Sequence, residues 1–361
     1  MDSIRGIAAL LVIYCHSIFS FAHTTRFQTV CDLCGTAAGV SFFMLSGCVL
    51  GRSLHRRPCR NWIDYASFLV RRGFRLYPLA FVGLVFALLL APHIHEPAAW
   101  TLPSADNLNY IARMKGVRTG MDFLWDAALV KTSLNKAYWT LAMEVQCSLL
   151  LPFIHYFSSR YPRTRLPMFV LFGAIMFFHV KAFQYVFVFY LGYLSNLVVE
   201  PHRATIGKYS YWILAPSVFL FFTLKLLDGR LVTMSLILFC IFLVFYTCEL
   251  GWMKSMFNSR PLIWLGDIAF GIYLFHFPLV FLSQNVLQTY FPGLLRIRPE
   301  YEVASSVMFL MASAAAAILS LAGKHLIEDP FNKLGHVISS RLVRRPIPVP
   351  QFATGGSLAG E

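Results

Sequence analysis

Apolar stretches close to 20 residues long recur from one end of this chain to the other. At a rise of about 1.5 Å per residue, about 20 helical residues cross the ~30 Å hydrocarbon core of a bilayer. Approximate cores fall at 4–21, 33–50, 74–92, 138–157, 167–180, 183–199, 209–227, 231–249, 262–282 and 303–323. In lipid every backbone N–H and C=O must be satisfied within the protein, so such segments are helices. The expected fold is therefore all-α, a polytopic membrane protein of about ten transmembrane helices. Composition agrees. The chain is 57% hydrophobic and only 13% charged, against about a quarter charged in soluble domains. The first apolar run holds Arg5 and His16 and is followed by many more spans, so it does not read as a cleavable signal peptide.

The net charge of +14 raises nucleic acid as a partner. The placement of the charge argues against it. Lys and Arg gather in short loops between apolar stretches, and no basic helix is interleaved with base-stacking aromatics. The segment 51–75 carries Arg52, Arg56, Arg57, Arg60, Arg71, Arg72 and Arg75, which places it in the cytoplasm by the positive-inside rule. Alternation puts 158–166, 200–208 and 250–261 on the same side, along with the basic C-terminal region. An even number of spans and two cytoplasmic termini are mutually consistent. The partner is a lipid bilayer and not nucleic acid, and the 34 Phe, 16 Tyr and 7 Trp suit lipid-facing helices with interfacial belts. The expected division is a transmembrane domain over 1–335 and a cytoplasmic, disordered tail over 336–361, Pro/Gly-rich from Pro346. The longest external connection, 93–137, is expected to form amphipathic helices. A homo-oligomer stays open.

Of eight Cys, five (Cys15, Cys48, Cys147, Cys240 and Cys248) lie in apolar stretches and are expected to pack as small hydrophobes. Cys31 and Cys34 form a C-x-x-C without a second pair at zinc spacing, which leaves a local disulfide as the alternative to two thiols. His93, His95 and Glu96 are too few to close a metal site, so no metal is expected. No G-x-S-x-G elbow, phosphate-cradling Gly-rich loop or dinucleotide fingerprint is present.

Ionisable groups within spans are costly and mark function by default. Three stand out: His16, Glu144 and His276. Counted from the inner face, His16 lies roughly 18 Å deep, and Glu144 and His276 each roughly 21 Å deep. Three titratable groups from three helices thus share one depth. Arg5 and His16 are eleven residues apart, a rotation of about 1100°, which leaves them on one face and about 16 Å apart along the axis. A phosphate held at Arg5 can lay a thioester arm toward His16; the alternative for Arg5 is a snorkelling anchor. Arg71-Arg72-Gly73-Phe74-Arg75 opens the third span, with Arg72 and Arg75 at i, i+3. Their forks suit phosphate oxygens and equally a topology signal or lipid headgroups.

In sequence these pieces resemble membrane acyltransferase family 3, the O-acyltransferases of bacterial surface polysaccharides, over nearly the whole chain. The carriers are Asp2 through Arg5-Gly6 to His16-Ser17, Gly39 to Ser46-Gly47, Arg72-Gly73-Phe74-Arg75, Trp139-Thr140-Leu141-Ala142-Met143-Glu144, Leu265-Gly266 with Tyr273-Leu274, His276 and Pro278, and Glu328-Asp329-Pro330-Phe331. Thr140 stands where the pattern has Ser and keeps the hydroxyl. The resemblance implies a bacterial inner-membrane enzyme that uses cytoplasmic acyl-CoA, commonly acetyl-CoA, as co-substrate. It implies a saccharide or lipid-linked glycan acceptor, His16 as the catalytic residue, and Arg5, Arg72 and Arg75, with neighbouring Arg71, as donor-binding residues. Glu144, Tyr273 and His276 complete the expected site. The expected chemistry is general-base attack by an acceptor hydroxyl through His16, with Glu144 or His276 orienting and Tyr273 or Ser17 bonding the oxyanion. An acyl-His16 intermediate is the variant route. The alternative function is a proton-coupled secondary transporter of an envelope metabolite.

Overall fold

The computed structural model describes residues 2–20, 25–97, 105–117, 119–179, 183, 185–226, 231–247, 255–296 and 301–344. Among them every regular element is helical: α1 Asp2–Ile18, α2 Thr25–Arg56, α3 Trp62–Leu90, α4 Ala105–Lys115, α5 Gly120–Ala127, α6 Tyr138–Arg160, α7 Arg165–Phe177, α8 Val186–Lys208, α9 Ser210–Leu226, α10 Leu231–Thr247, α11 Arg260–Tyr290, α12 Tyr301–Gly323 and α13 Asp329–Arg344. Four helical stretches are long and apolar enough to cross a bilayer, namely Gly35–Arg56, Trp62–His93, Arg260–Tyr290 and Glu302–Val343. Shorter apolar helices run over Val186–Leu197, Ser210–Thr223 and Thr233–Val244. The chain is a helical membrane protein.

The elements begin where capping chemistry starts them. Asn61 accepts the Asp64 N–H at 2.9 Å, and Asp64 accepts the Arg60 N–H at 3.0 Å. These bonds satisfy free donors at the head of α3. The helix therefore opens at Trp62, about three turns before the apolar run expected from 74. Thr119 caps α5 in the same way, accepting the Asp122 N–H at 3.1 Å. Helices α4 and α5 occupy the long connection that was expected to be amphipathic.

Two buried clusters make the interior. One joins α1, α3, α4, α6, α11 and α12 around Leu79, Tyr110, Tyr138 and Ile272. The other joins α2, α3, α6, α7, α8, α9 and α10 around Leu45, Phe187, Tyr190 and Met234. Helix crossings are closest at glycines. A Cβ on Gly266 of α11 would strike the Asp2 carbonyl of α1, and one on Gly6 would sit 2.8 Å from Leu265. Gly47 and Gly192 bring α2 and α8 into the same backbone contact. Small residues at crossings replace the hydrophobic drive that lipid does not supply.

Two sequence expectations change. Residues 336–344, assigned to a disordered tail, belong to α13, which packs along α3; the amphipathic face from Asp329 onward, with Ser339 3% exposed, finds a partner there. Residues 345–361 lie outside the described residues. Cys15, Cys48 and Cys147 are buried as expected, whereas Cys240 is exposed. Cys248 and the side chains of Cys31 and Cys34 lie outside the described residues.

Candidate active site

The α1 sequence repeats cavity-facing positions at Arg5, Val12, His16 and Phe19, spacings of seven, four and three that keep one helical face. That face, with facing stripes of α2, α3, α6 and α11, bounds a cavity of ≈ 400 Å³ between the two buried clusters. From Arg5 to Phe19 the lining covers about 21 Å along the axis at 1.5 Å per residue. The cavity is thus a slot with two differing ends.

One end is cationic. Arg72 donates to Glu144 Oε1 at 2.7 Å and to Ser148 Oγ at 3.0 Å. Ser46 donates to the same Glu144 oxygen at 3.1 Å. These charge-assisted bonds fix both side chains against the cavity wall. Arg5 pairs with Asp2 at 3.3 Å. Arg75 lines the cavity and is exposed, and no carboxylate among the described residues lies within ion-pair distance of it. Arg71 turns away. It donates to Ser67 at 2.7 Å and to Ser339 of α13, tying α3 to that helix.

Toward the other end stands His16. Its ring stacks on that of His276, centroids 5.4 Å apart, and meets the edge of Phe277 at 4.8 Å. His276 is wholly buried behind His16, with Nδ1 2.6 Å from the Tyr273 carbonyl. A carbonyl only accepts, so Nδ1 carries the hydrogen. Nε2 is buried with no hydrogen-bond partner among the described residues. Tyr273 lines the cavity. Its hydroxyl lies 2.6 Å from Thr140 Oγ1, and both reach the Ala137 carbonyl, at 3.1 and 3.0 Å. One hydroxyl donates to the other, and the other to the carbonyl. Ser17, expected as an oxyanion donor, is buried and donates to its own helix at Ile13, 2.9 Å away.

A proline sets the shape of α11 here. Pro278 has no N–H, so the Leu274 carbonyl lacks its intrahelical donor. Asn135, fully buried ahead of α6, donates to that carbonyl at 2.8 Å and accepts the Ala137 N–H at 3.0 Å. This bond joins the segment carrying Thr140 to the segment carrying Tyr273 and His276.

Comparison with known proteins bears on this arrangement. The profile of the family described as acyltransferase domain, acyltransferase family 3, matches residues 1–325. The chain belongs to membrane acyltransferase family 3. Peptidoglycan O-acetyltransferase OatA of Listeria monocytogenes serovar 1/2a (strain ATCC BAA-679 / EGD-e) is 24% identical over 376 aligned positions, covering 93% of this chain and 56% of that protein. The chain thus spans little more than half the length of that relative. No solved structure matches.

Of the residues singled out from the sequence of this acyltransferase domain, Arg5, His16, Arg72, Arg75, Glu144 and Tyr273 share one cavity. His276 stands directly behind it and Arg71 outside it. Sequence reasoning passed over Ser148 and Asn135 and took Ser46 only as part of a second-helix motif; Ser46 and Ser148 hold the charged pair, and Asn135 the broken helix. It took Glu328 only as part of a closing motif, whereas a π-helical segment, Lys324–Glu328, places that residue in the cavity wall. Charged residues ending a long apolar helix were the available signal. Among the described residues no three His, Cys, Asp or Glu converge as a metal site would require.

Proposed function

We propose that this chain is a multi-pass enzyme of the bacterial inner membrane, with about ten spans and both termini cytoplasmic. It moves an acyl group, acetyl by default, from cytoplasmic acyl-CoA to a hydroxyl of a cell-surface saccharide. The observation that carries this reading is that one cavity holds both an arginine-rich end and His16. Arg5, Arg72 and Arg75 suit the phosphates of coenzyme A, since guanidinium forks match phosphate oxygens. Among the described residues Arg75 makes no direct ion pair and Arg5 pairs directly with Asp2, while Glu144 and Glu328 share the cavity with them. Membership of an acyltransferase family and similarity to a protein named as an O-acetyltransferase support the reaction class.

In this reading the thioester lies along the α1 face with its carbonyl near His16. The imidazole takes the proton of the acceptor hydroxyl. The hydroxyl oxygen attacks the thioester carbon, the C–S bond breaks, and the imidazolium returns the proton to the departing thiolate. For the Thr140–Tyr273 pair to donate to the oxyanion, one hydroxyl turns its hydrogen from the Ala137 carbonyl into the cavity. His276 supports His16 from behind, its hydrogen committed to a backbone carbonyl. The test uses purified protein in lipid nanodiscs with radiolabelled acetyl-CoA and cell-envelope glycan. His16→Ala is expected to abolish transfer while keeping thermal stabilisation by coenzyme A. Transfer retained by His16→Ala refutes the assignment.

A further inference from the structure

The cavity wall differs along its length in more than charge. Every charged lining residue belongs to the arginine end: Arg5, Arg72, Arg75, Glu144, Asp267 and Glu328. Between these charges and His16, the wall contributed by α2, α6 and the start of α8 turns aromatic: Gly35 of α2 lies against Cys15, and the helix then runs back through Phe43 to Ser46, which bonds Glu144. Phe43 of α2, Trp139 at the head of α6 and Tyr185 just before α8 form one three-ring cluster. Tyr185 lies 4.8 Å from Phe43 and 5.2 Å from Trp139, centroid to centroid, and Phe43 lies 6.3 Å from Trp139. All three line the cavity. Phe43 is 3% exposed and backs the cluster, whereas Trp139 keeps 38% of its surface accessible. Thr140 and Tyr273, whose hydroxyls are paired, line the same cavity.

A wall of aromatic faces edged by hydroxyls has a chemical complement. A pyranose presents an apolar C–H face on one side and a rim of hydroxyls around it. The C–H face loses water favourably against an indole or phenol ring, and the rim finds Thr140 and Tyr273. We propose that Trp139 and Tyr185, backed by Phe43, form the acceptor subsite. They hold one pyranose ring of the acceptor so that a rim hydroxyl points toward His16. This assignment rests on the acyltransferase reading and specifies where its acceptor binds.

The test compares wild type with Trp139→Leu, Trp139→Phe and Tyr185→Leu in nanodiscs. The donor is acetyl-CoA, with octanoyl-CoA beside it. The acceptors are soluble chitotetraose, maltotetraose and mannotetraose. The expected result is that wild type acetylates at least one oligosaccharide. Trp139→Leu and Tyr185→Leu then raise KM for that acceptor at least tenfold and leave KM for acetyl-CoA within twofold. Trp139→Phe, which keeps a ring, recovers most of the acceptor affinity. Two results overturn the subsite while leaving the acyltransferase reading intact. One is an unchanged acceptor KM in both Leu variants. The other is a shift in preference between acetyl-CoA and octanoyl-CoA with no acceptor effect, which makes the rings a pocket for the acyl chain. If wild type releases coenzyme A from acetyl-CoA yet acetylates none of the three, the saccharide acceptor and the subsite fail together. If wild type neither binds nor turns over acetyl-CoA, the acyltransferase reading itself fails.

Discussion

The pair Arg72–Glu144 allows a worked prediction. Glu144 Oε1 receives one bond from Arg72 at 2.7 Å and one from Ser46 at 3.1 Å, while Arg72 also holds Ser148 at 3.0 Å. Removing one member of a buried pair leaves the other charged and uncompensated, at a cost of about 3–5 kcal/mol. Both side chains border the cavity, with 12% and 23% of their surface accessible. Water in the cavity screens them, so Glu144→Ala is expected at the low end, about 3 kcal/mol. Glu144→Gln keeps the shape and an acceptor oxygen and loses only the charge assistance, about 1 kcal/mol. The double variant Arg72→Met/Glu144→Leu removes both charges and is expected to be more stable than Glu144→Ala, with a coupling near 2 kcal/mol. Equilibrium unfolding in mixed micelles measures these proteins together with the single variants Arg72→Met and Glu144→Leu, which close the cycle. Strict additivity of the single changes, or a cost for Glu144→Ala below about 1 kcal/mol, refutes the view that these residues are each other's principal partner.

Asn135→Leu is expected to lose about 1–3 kcal/mol, because the Leu274 carbonyl beside Pro278 is left without a donor; thermal unfolding in nanodiscs reads this, and acyl transfer should fall with it. Gly266→Ala is expected to lower both stability and acyl transfer, since the new methyl would collide with the Asp2 carbonyl and push α1 off α11; Gly39→Ala, whose Cβ meets nothing within 4 Å, is the matched control for stability. Cys59 is half-buried between α2 and α3, and burial, with Asp64 adding, pushes its thiol up, so little thiolate is present at neutral pH. A membrane-impermeant maleimide at pH 8.5 should label Cys59 in inverted but not right-side-out vesicles if the arginine-rich loop is cytoplasmic, and labelling is expected to weaken as pH falls toward 7.

Much of this site was legible before any fold was known, and the residues explain why. Arg5 and His16 sit on one helix, where the angle between them is set by counting. Glu144 and His276 stood out because lipid makes buried ionisable groups expensive. Depth estimates from helix ends brought them to one level, although Glu144 faces the arginines through Arg72 and Ser46 while His276 stands behind His16. Arg71 and Arg72 show where counting stops. From Arg75 they lie about 40° and 60° away around the helix, on opposite sides, so periodicity admits either. The choice is made by Ser339, distant in the chain, which captures Arg71. Asn135 was half legible: Pro278 announces that the Leu274 carbonyl needs a donor, but nothing local says which residue supplies it. The start of α3 was legible in Asn61 and Asp64, a capping pattern that the hydropathy of the following residues overshadowed. The length of α13 depended on its packing against α3, a tertiary contact that its own polar residues do not advertise.

The slot from Arg5 to Phe19 also has an electrical consequence. A polar passage through most of a membrane invites protons and sodium to run down the potential the cell maintains. Three guanidinium groups at one mouth make that mouth repulsive to cations, and the aromatic rings along the wall between them and His16 leave little room for a continuous file of water. The side chains suited to gripping an anionic donor would therefore also act as insulation, so thinning out the arginines should make the membrane leaky as well as the enzyme slow.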